Sequence, residues 1–220
     1  MSSSEVRWVL RLLYGWTAIA VILSLTTGLN AQQAVPSFEE IVKNLASVNA
    51  SLDSFQVEQV IEARFLFFRF RFLSTVYAAR PARYRVVVHN PPWLLRRFGN
   101  VFAQAGSPQD LLTYYAPRVV AWKEDAGRRF LYLDLEKQLP VVNPPGVEAF
   151  IDPERWLIEK MVLHYEWGDV ITDYQYCLTS DFFLPTVINV RISNYPIEVR
   201  LTYQNYQLNV PIPDSVFANK

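Results

Sequence analysis

Residues 65–73, FLFFRFRFL, contain the pattern that most constrains how this chain can fold. The stretch alternates phenylalanine with arginine: Phe68, Arg69, Phe70, Arg71 and Phe72. In an extended strand, a period of two residues places successive side chains on opposite faces of a sheet. The pattern therefore predicts a strand with one aromatic face, which must either pack in a core or line a cavity for an apolar ligand.

Further strand-forming segments follow, and turn signals such as Asp152-Pro153, Gly168-Asp169 and Asn194 to Pro196 separate several of them. Apolar and polar residues alternate in TDYQYCL and EVRLTYQNY, which is typical of antiparallel sheets with one solvated face. The predicted strands cover residues 55–65, 68–77, 82–89, 118–123, 128–135, 156–166, 169–178, 183–193 and 197–208. The sequence thus predicts an α+β, mainly β fold built on a large, curved antiparallel sheet.

Two stretches are predicted to form helices that cover this sheet. Ser37 and Glu40 form a capping-box pattern, and apolar residues follow at helical spacing as far as Val48, which predicts an amphipathic helix of about three or four turns. The stretch from Pro91 to Tyr115 contains the breakers and start signals of short helices. Its apolar and aromatic residues would need an apolar surface beneath them: Trp93, Leu94, Leu95, Phe98, Leu111, Leu112 and Tyr115.

The first 31 residues are predicted to be a targeting segment. Arg7 and Arg11 precede a long apolar stretch, and a small residue follows at Ala31, as in secretory signals. The apolar stretch is nearly long enough to cross a bilayer, which takes roughly 17–25 residues. Cleavage after Ala31 and retention as an N-terminal membrane anchor therefore both stay open. Either outcome places residues 32–220, predicted to be a single domain, in the periplasm or on the outer face of the cytoplasmic membrane.

Charge and motif content argue against several classes of function. The 21 basic and 21 acidic residues cancel, so the chain has no strong positive field that would attract nucleic acid. Its single cysteine, Cys177, cannot form an internal disulfide, and its two histidines, His89 and His164, lack metal-type partners nearby in sequence. No nucleophile elbow, glycine-rich phosphate loop or zinc-protease motif is present. We therefore predict a non-enzymatic protein without a metal or other cofactor.

Two parts of the sequence resemble the periplasmic lipoprotein-carrier (LolA) family and the wider superfamily of lipoprotein localisation factors. SFQVEQVIEA, followed by STVYAARPARYRVVVHNP, is similar to the front half of that family, where one strand begins with Ser-Phe and the next ends in Arg-Pro. The closing stretch, from LPTVINVRI to NVPIPDSVF, is similar to the end of the superfamily. The likeness spans most of residues 37–217. The region from Pro91 to Tyr115 lacks the usual D-G-x-x-x-W-x-Y strand pair, which leaves the substrate open.

The resemblance implies an incomplete, half-open antiparallel β-barrel whose helices form a lid over a hydrophobic cavity for acyl chains. In the family, the arginine of the Arg-Pro pair points into the cavity and bonds to the lid, which holds the empty form closed. A strand running unbroken from Leu66 to Arg80 would place the matching Arg80 on the phenylalanine face. We expect the lipid-binding face to contain Leu66, Phe68, Phe70, Phe72 and Arg80. We expect the lid and its latch to contain Arg80, Pro81, Trp93, Leu94, Leu111 and Leu112.

The aromatic strand and the resemblance together predict an extracytoplasmic carrier. We expect a monomer that binds the acyl chains of lipoproteins or lipids and exchanges them with a membrane donor or acceptor protein. Two alternatives stay open at this stage. One is a regulatory protein of the same fold that senses lipoproteins, and the other is a structural envelope protein whose aromatic face is a sealed core.

Overall fold

A computed structural model of the protein describes residues 34–80, 83–89, 115–138 and 146–218. The chain separates into two units, Met1–Val35 and Pro36–Lys220, and all described helices and strands belong to the second. Within the described ranges, no helix is long and apolar enough to cross a membrane. The predicted targeting segment and five of the predicted lid residues lie outside the described ranges: Pro81, Trp93, Leu94, Leu111 and Leu112.

The described residues form two helices and ten strands. The helices are α1 (Phe38–Ser47) and α2 (Asp214–Phe217). The strands are β1 (Ser54–Phe65), β2 (Phe68–Ala79), β3 (Arg83–His89), β4 (Tyr115–Asp125), β5 (Arg128–Lys137), β6 (Gly146–Asp152), β7 (Leu157–Tyr165), β8 (Gly168–Thr179), β9 (Phe182–Ile192) and β10 (Ile197–Leu208).

All ten strands belong to one antiparallel sheet in the order β3-β2-β1-β10-β9-β8-β7-β6-β5-β4. Most strands pair with their neighbours in sequence, and the pairing of β1 with β10 joins the two ends of the domain. The edge strands β3 and β4 do not pair with each other in the described part of the chain, so the sheet is not closed into a barrel. The predicted mainly β, antiparallel and half-open architecture is therefore confirmed.

Helix α1 begins where the sequence predicted it. The backbone N–H of Glu40 donates a hydrogen bond to Ser37 Oγ at 3.2 Å, which is the N-cap contact expected of a serine at this position. The apolar stripe of α1 is buried, with Ile41 fully inaccessible and Leu45 only 3% exposed. Both side chains pack in one core with residues of β4 to β7: Tyr115, Leu131, Leu133, Leu135, Val147, Ala149, Ile151, Ile158 and Met161. The helix therefore covers the β4–β7 side of the sheet.

Candidate functional site on the inner face of the sheet

We call the face of the sheet on which α1 packs the inner face. One row of directly paired residues follows this face across the whole sheet except its edge strand β3. Residues that pair directly across antiparallel strands place their side chains on the same side of the sheet. The row runs, strand by strand, through Val120, Leu133, Ala149, Met161, Thr172, Val190, Val199, Ala63 and Phe70. Phe70 therefore lies on the same face as the core residue Leu133, at the opposite side of the sheet.

Burial changes along this row. Leu133, Ala149 and Met161, beneath α1, are at most 3% exposed. The members on β9, β10, β1 and β2 are apolar as well, but they are only half-buried: Val190, Val199, Ala63 and Phe70. Further along β1 and β2, inner-face residues are buried as well, with exposures of 0 to 7%: Val57, Gln59, Ile61, Phe72, Ser74 and Val76. The inner face is thus one continuous surface that is sealed on the β5–β7 side and in the middle of β1 and β2. It is incompletely covered near the β1–β2 turn and on β9 and β10.

The phenylalanine stripe of β2 runs from the core to the edge of this surface. Phe72 pairs with the buried Ile61 and is itself 7% exposed. Phe70 is half-buried, and Phe68 is 61% exposed. Leu66 lies in the turn before the strand and is 49% exposed. The structure therefore gives the four predicted lipid-binding residues on this strand different environments, with a core position at one end and an open position at the other.

Arg80 lies just beyond the end of β2, at the surface of the protein. Its guanidinium donates a hydrogen bond from Nη2 to the backbone carbonyl of Asn49, 3.1 Å away, in the turn that follows α1. Asn49 has a left-handed φ of 58°, and its side-chain amide exchanges hydrogen bonds with the backbone of Phe183 at 2.8 and 2.9 Å. Arg80 thus joins the end of β2 to the end of α1 at the surface of the domain.

Sequence reasoning did not single out a group of tyrosines on the inner face: Tyr84, Tyr174, Tyr176, Tyr203 and Tyr206. Tyr174 and Tyr176, two residues apart on β8, stack with their ring centroids 6.2 Å apart. Tyr203 and Tyr206 also stack, at 6.4 Å, although residues three apart on a regular strand point to opposite faces. The irregularity of β10 opposite Val57, with Asn205 at a φ of 58°, brings both rings to one side.

Three of these tyrosines make hydrogen bonds within the protein. The hydroxyl of Tyr176 donates to the carbonyl of Ile158 at 2.8 Å, and that of Tyr206 donates to the carbonyl of Pro185 at 2.6 Å. Tyr203 Oη accepts from Gln59 Nε2 at 2.8 Å. Gln59 Oε1 in turn accepts from Ser74 Oγ at 2.7 Å. This chain of bonds satisfies polar groups within an otherwise apolar surface.

The other two tyrosines offer unused hydroxyls. Among the described residues, Tyr84 and Tyr174 have no hydrogen-bond partner for their phenol groups. Burial raises the pKa of Tyr84 to about 12. Burial also raises the pKa of Tyr174, and the nearby Tyr84 raises it further. Both phenols are therefore neutral at physiological pH and can donate or accept hydrogen bonds.

A separate polar hollow of about 450 Å³ is lined by Arg118, Asp134, Leu135, Glu136, Gly146, Glu148 and His164. His164 lies between two carboxylates, with Nδ1 2.9 Å from Asp169 Oδ1 and Nε2 3.2 Å from Glu148 Oε1. Glu148 precedes the core residue Ala149 in β6 and therefore points to the outer face. Over the described ranges, no group of histidine, cysteine and acidic residues could hold a metal ion. The hollow is thus a solvated ion-pair network on the outer face.

Comparisons with known proteins identify the fold. No protein-family model matches the sequence, and no curated protein is significantly similar to it. A LolA superfamily protein from Nitrosomonas europaea superposes with a TM-score of 0.65 at 15% identity, over 84% of this chain and 98% of its own. A domain from Vibrio parahaemolyticus that is named for outer-membrane lipoprotein sorting has a TM-score of 0.67 at 10% identity, over 81% and 94%.

A third similar structure is a DUF1329 family protein from Desulfovibrio piger, with a TM-score of 0.64 at 9% identity over 81% of this chain and 95% of its own. Identities this low establish the architecture and not the ligand. The protein therefore has a LolA-like fold.

Proposed function

We propose that the protein is an extracytoplasmic carrier that binds the acyl chains of lipoproteins or lipids against the incompletely covered part of its inner face. The observation that carries this proposal is the row from Leu133 to Phe70, an apolar surface that α1 covers on one side only. Soluble proteins rarely leave large contiguous apolar surfaces open unless these bind a partner or a ligand. The LolA-like fold supports a binding role in place of an enzymatic one.

The chemistry of the face suits a ligand with an apolar chain and a polar end. Burying each methylene of an acyl chain contributes about 0.8 kcal/mol, so a long chain binds without any specific polar contact. The hydroxyls of Tyr84 and Tyr174 can then donate to the carbonyl of an ester or amide, because no protein group in the described part uses them. An ester-linked or amide-linked acyl chain is therefore a better match than a plain hydrocarbon.

Helix α1 provides a means of release. Its apolar stripe packs on the same inner face, next to the part that would hold the ligand, so α1 in its closed arrangement competes with an acyl chain long enough to extend beneath it. The hydrogen bond from Arg80 to Asn49 favours the closed arrangement. Delivery to an acceptor would then be promoted by closure of α1, with Arg80 as the latch that the family resemblance predicted.

The basic and apolar N-terminal stretch supports an extracytoplasmic location. Arg7 and Arg11 before the apolar segment are the features that the export machinery reads, whether or not the segment is later removed. An alkaline-phosphatase fusion after residue 60 should be active, because the enzyme folds only outside the cytoplasm. A well-expressed but inactive fusion would contradict export.

The function is tested by purifying the full chain and extracting it with organic solvent for lipid mass spectrometry. We expect acyl lipids at a stoichiometry near one per chain. After removal of the lipid, a fluorescent fatty acid should bind saturably and be displaced by a lipid-modified peptide. A protein that carries no lipid and binds no probe after delipidation would instead be a structural protein with a sealed core.

A further inference from the structure

One end of the sheet carries a group of exposed apolar side chains. The β1–β2, β7–β8 and β9–β10 connections all lie at this end, because these strands are antiparallel neighbours in the sheet. We call the group the aromatic rim; it consists of Phe65, Leu66, Phe67, Phe68, Trp167 and Tyr195. Phe67 is 94% exposed and Phe68 is 61% exposed, whereas the other four are between 42% and 49% exposed.

The three connections form one continuous patch. The backbone N–H of Leu66 donates to the carbonyl of Pro196 at 3.4 Å, which links the β1–β2 turn to the β9–β10 turn. Asn194 Nδ2 donates to the carbonyl of Trp167 at 3.1 Å, and the rings of Trp167 and Tyr195 are 6.3 Å apart. The side chains of the rim are therefore held next to one another by contacts between the turns.

The apolar residues of the β1–β2 turn are not explained by the needs of the turn itself. Two-residue hairpin turns favour glycine and asparagine because they require positive φ angles. Leu66 adopts a φ of 53°, which is unfavourable for a bulky side chain. Two tight turns at the opposite end of the sheet use small or polar residues, Ala126-Gly127 and Ser180-Asp181. A leucine and a fully exposed phenylalanine at the tip therefore point to a contact outside the domain.

The charges around the tip indicate what the contact is. From Ala63 to Phe72 the hairpin carries three arginines, Arg64, Arg69 and Arg71, and no acidic residue. Arg64 and Arg71 make long, exposed ion pairs of 3.9 and 3.8 Å, which contribute little. Arg69 has no acidic partner in the described part of the chain. Arg69 is therefore available to bind phosphate, and the long, exposed ion pairs of Arg64 and Arg71 leave both guanidinium groups accessible to it.

We propose that the aromatic rim docks on the surface of a membrane that contains anionic phospholipid. Tryptophan, tyrosine and phenylalanine favour the boundary between head groups and acyl chains, and flanking arginines bind the lipid phosphates. In this arrangement Phe67 and Leu66 enter the boundary region while Arg64, Arg69 and Arg71 lie at head-group level. The proposal does not require that the inner face bind lipid, because a sealed inner face would leave the rim unchanged.

The test places one environment-sensitive dye at either end of the sheet in the full chain. Cys177 is first replaced by serine, and the dye is then attached to Phe67→Cys or, as the matched control, to Ser180→Cys in the β8–β9 turn. Vesicles contain phosphatidylcholine brominated on its acyl chains, alone or in an equal mixture with phosphatidylglycerol. Both labelled proteins carry the same N-terminal stretch, so binding through that stretch attaches both to the vesicles to the same extent.

We expect the dye at position 67 to shift to the blue and to be quenched by the brominated lipid, most strongly with phosphatidylglycerol, and the dye at position 180 to show neither effect. Arg69→Gln should weaken binding to phosphatidylglycerol vesicles about fivefold, as expected for one basic residue near an anionic surface. Equal quenching at both positions, or quenching at 67 that is independent of phosphatidylglycerol, overturns the proposal. A blue shift without vesicles that grows with protein concentration overturns it in favour of a second copy of the chain.

Discussion

The guanidinium of Arg80 donates a hydrogen bond to the backbone carbonyl of Asn49 across 3.1 Å, and this bond ties the end of β2 to the turn that follows α1. Asn49 also holds the start of β9 through two hydrogen bonds to Phe183. One asparagine therefore connects the helix that covers the inner face to two separate strands. This arrangement makes the end of α1 sensitive to the loss of a single side chain at the surface.

Replacing Arg80 with leucine should loosen α1 without unfolding the domain. The side chain is exposed, so water competes for its hydrogen bond. Loss of this bond should therefore destabilise the closed state by about 1 kcal/mol. Amide hydrogen exchange in α1 should become faster, and a fluorescent fatty acid should bind up to about fivefold more tightly because the competing closed state is weakened. Its release to acceptor vesicles should slow.

Lysine at position 80 should restore the wild-type behaviour only in part, since it lacks the planar fork of arginine. Arg71→Leu is the matched control for exchange in α1 and for fatty-acid affinity, because Arg71 is exposed on β2 and makes a long ion pair with Glu62. If Arg80→Leu changes exchange and affinity no more than Arg71→Leu does, and leaves release unchanged, Arg80 is only a surface residue beyond the end of the strand.

A carboxylate at position 70 should abolish binding of the acyl chain. Phe70 is half-buried on the inner face, so Phe70→Glu would place a charge where the chain would lie, and a buried charge without a partner costs several kcal/mol. Leu73→Glu is the control on the opposite face of the same strand, where Leu73 is 54% exposed. We expect at least a tenfold loss of affinity for the first variant and no change for the second, measured by titration with a fluorescent fatty acid.

Thermal unfolding of the same pair distinguishes a binding surface from a core. Phe70→Glu should unfold at a temperature close to that of Leu73→Glu if position 70 faces an open cavity. A variant that no longer folds would identify the phenylalanine stripe as sealed core. A folded variant with unchanged affinity would place the ligand elsewhere.

Much of the architecture could be predicted from local sequence patterns, because most strands alternate apolar and polar residues. Strand β6 was missed for a physical reason. Val147, Ala149, Phe150, Ile151 and Asp152 are all buried, so this central strand lacks the alternation that marks a strand with one wet face. The predicted turn at Gly168-Asp169 was also misplaced, since the turn falls at Glu166-Trp167 and Gly168 begins β8.

The candidate site was less predictable because it depends on features that cross the sheet. The strand containing the phenylalanines ends at Ala79, one residue before Arg80, so simple alternation from Leu66 does not place the guanidinium on the inner face. The Tyr-x-Tyr spacing of Tyr174 and Tyr176 does indicate that both rings lie on one face of a strand, but not which face. The joint position of Tyr203 and Tyr206 follows from an irregularity in β10, which spacing alone does not reveal.

Removing the charge of Asp152 should destabilise the domain at neutral pH. This carboxylate is 5% exposed, accepts hydrogen bonds from the backbone of Glu154 at 2.8 Å and from Arg155 Nε at 2.7 Å, and lies 3.7 Å from Arg128. Desolvation by burial acts to raise the pKa of Asp152. The hydrogen bond from the backbone N–H of Glu154, together with the hydrogen bonds and positive charge of Arg155, outweighs this effect and lowers the pKa. Asp152→Asn should reduce the free energy of unfolding by about 1.5–3 kcal/mol.

The effect of this substitution should depend on pH in a defined direction. A carboxylate with a lowered pKa contributes its full stability above its ordinary value of 3.8 and loses it as the pH falls through the value in the folded state. The difference between wild type and Asp152→Asn, measured by urea unfolding, should therefore be constant from neutral pH down to about 5 and shrink below about 4. A difference that grows on acidification would contradict the assignment.

The tyrosine hydroxyls allow ligand contacts to be separated from structural ones. Tyr206 donates to the carbonyl of Pro185 at 2.6 Å, so Tyr206→Phe should lower the free energy of unfolding by about 1 kcal/mol. Tyr174 has no such partner in the described residues, and phenylalanine would keep its stacking on Tyr176. Tyr174→Phe should therefore leave stability nearly unchanged.

For a ligand with a polar end, we expect Tyr174→Phe to affect binding more than Tyr206→Phe does, which is the opposite of their order in stability. If Tyr174 donates to the carbonyl of an acyl ester, Tyr174→Phe should weaken binding of a long-chain methyl ester about three- to tenfold, which corresponds to one hydrogen bond of roughly 0.5–1.5 kcal/mol. A hydrocarbon of the same length has no acceptor, so its affinity should not change. Competition against a fluorescent fatty acid measures both ligands with the same protein. An equal loss for ester and hydrocarbon would mean that the substitution alters the shape of the inner face, and that the unused hydroxyl does not select the ligand.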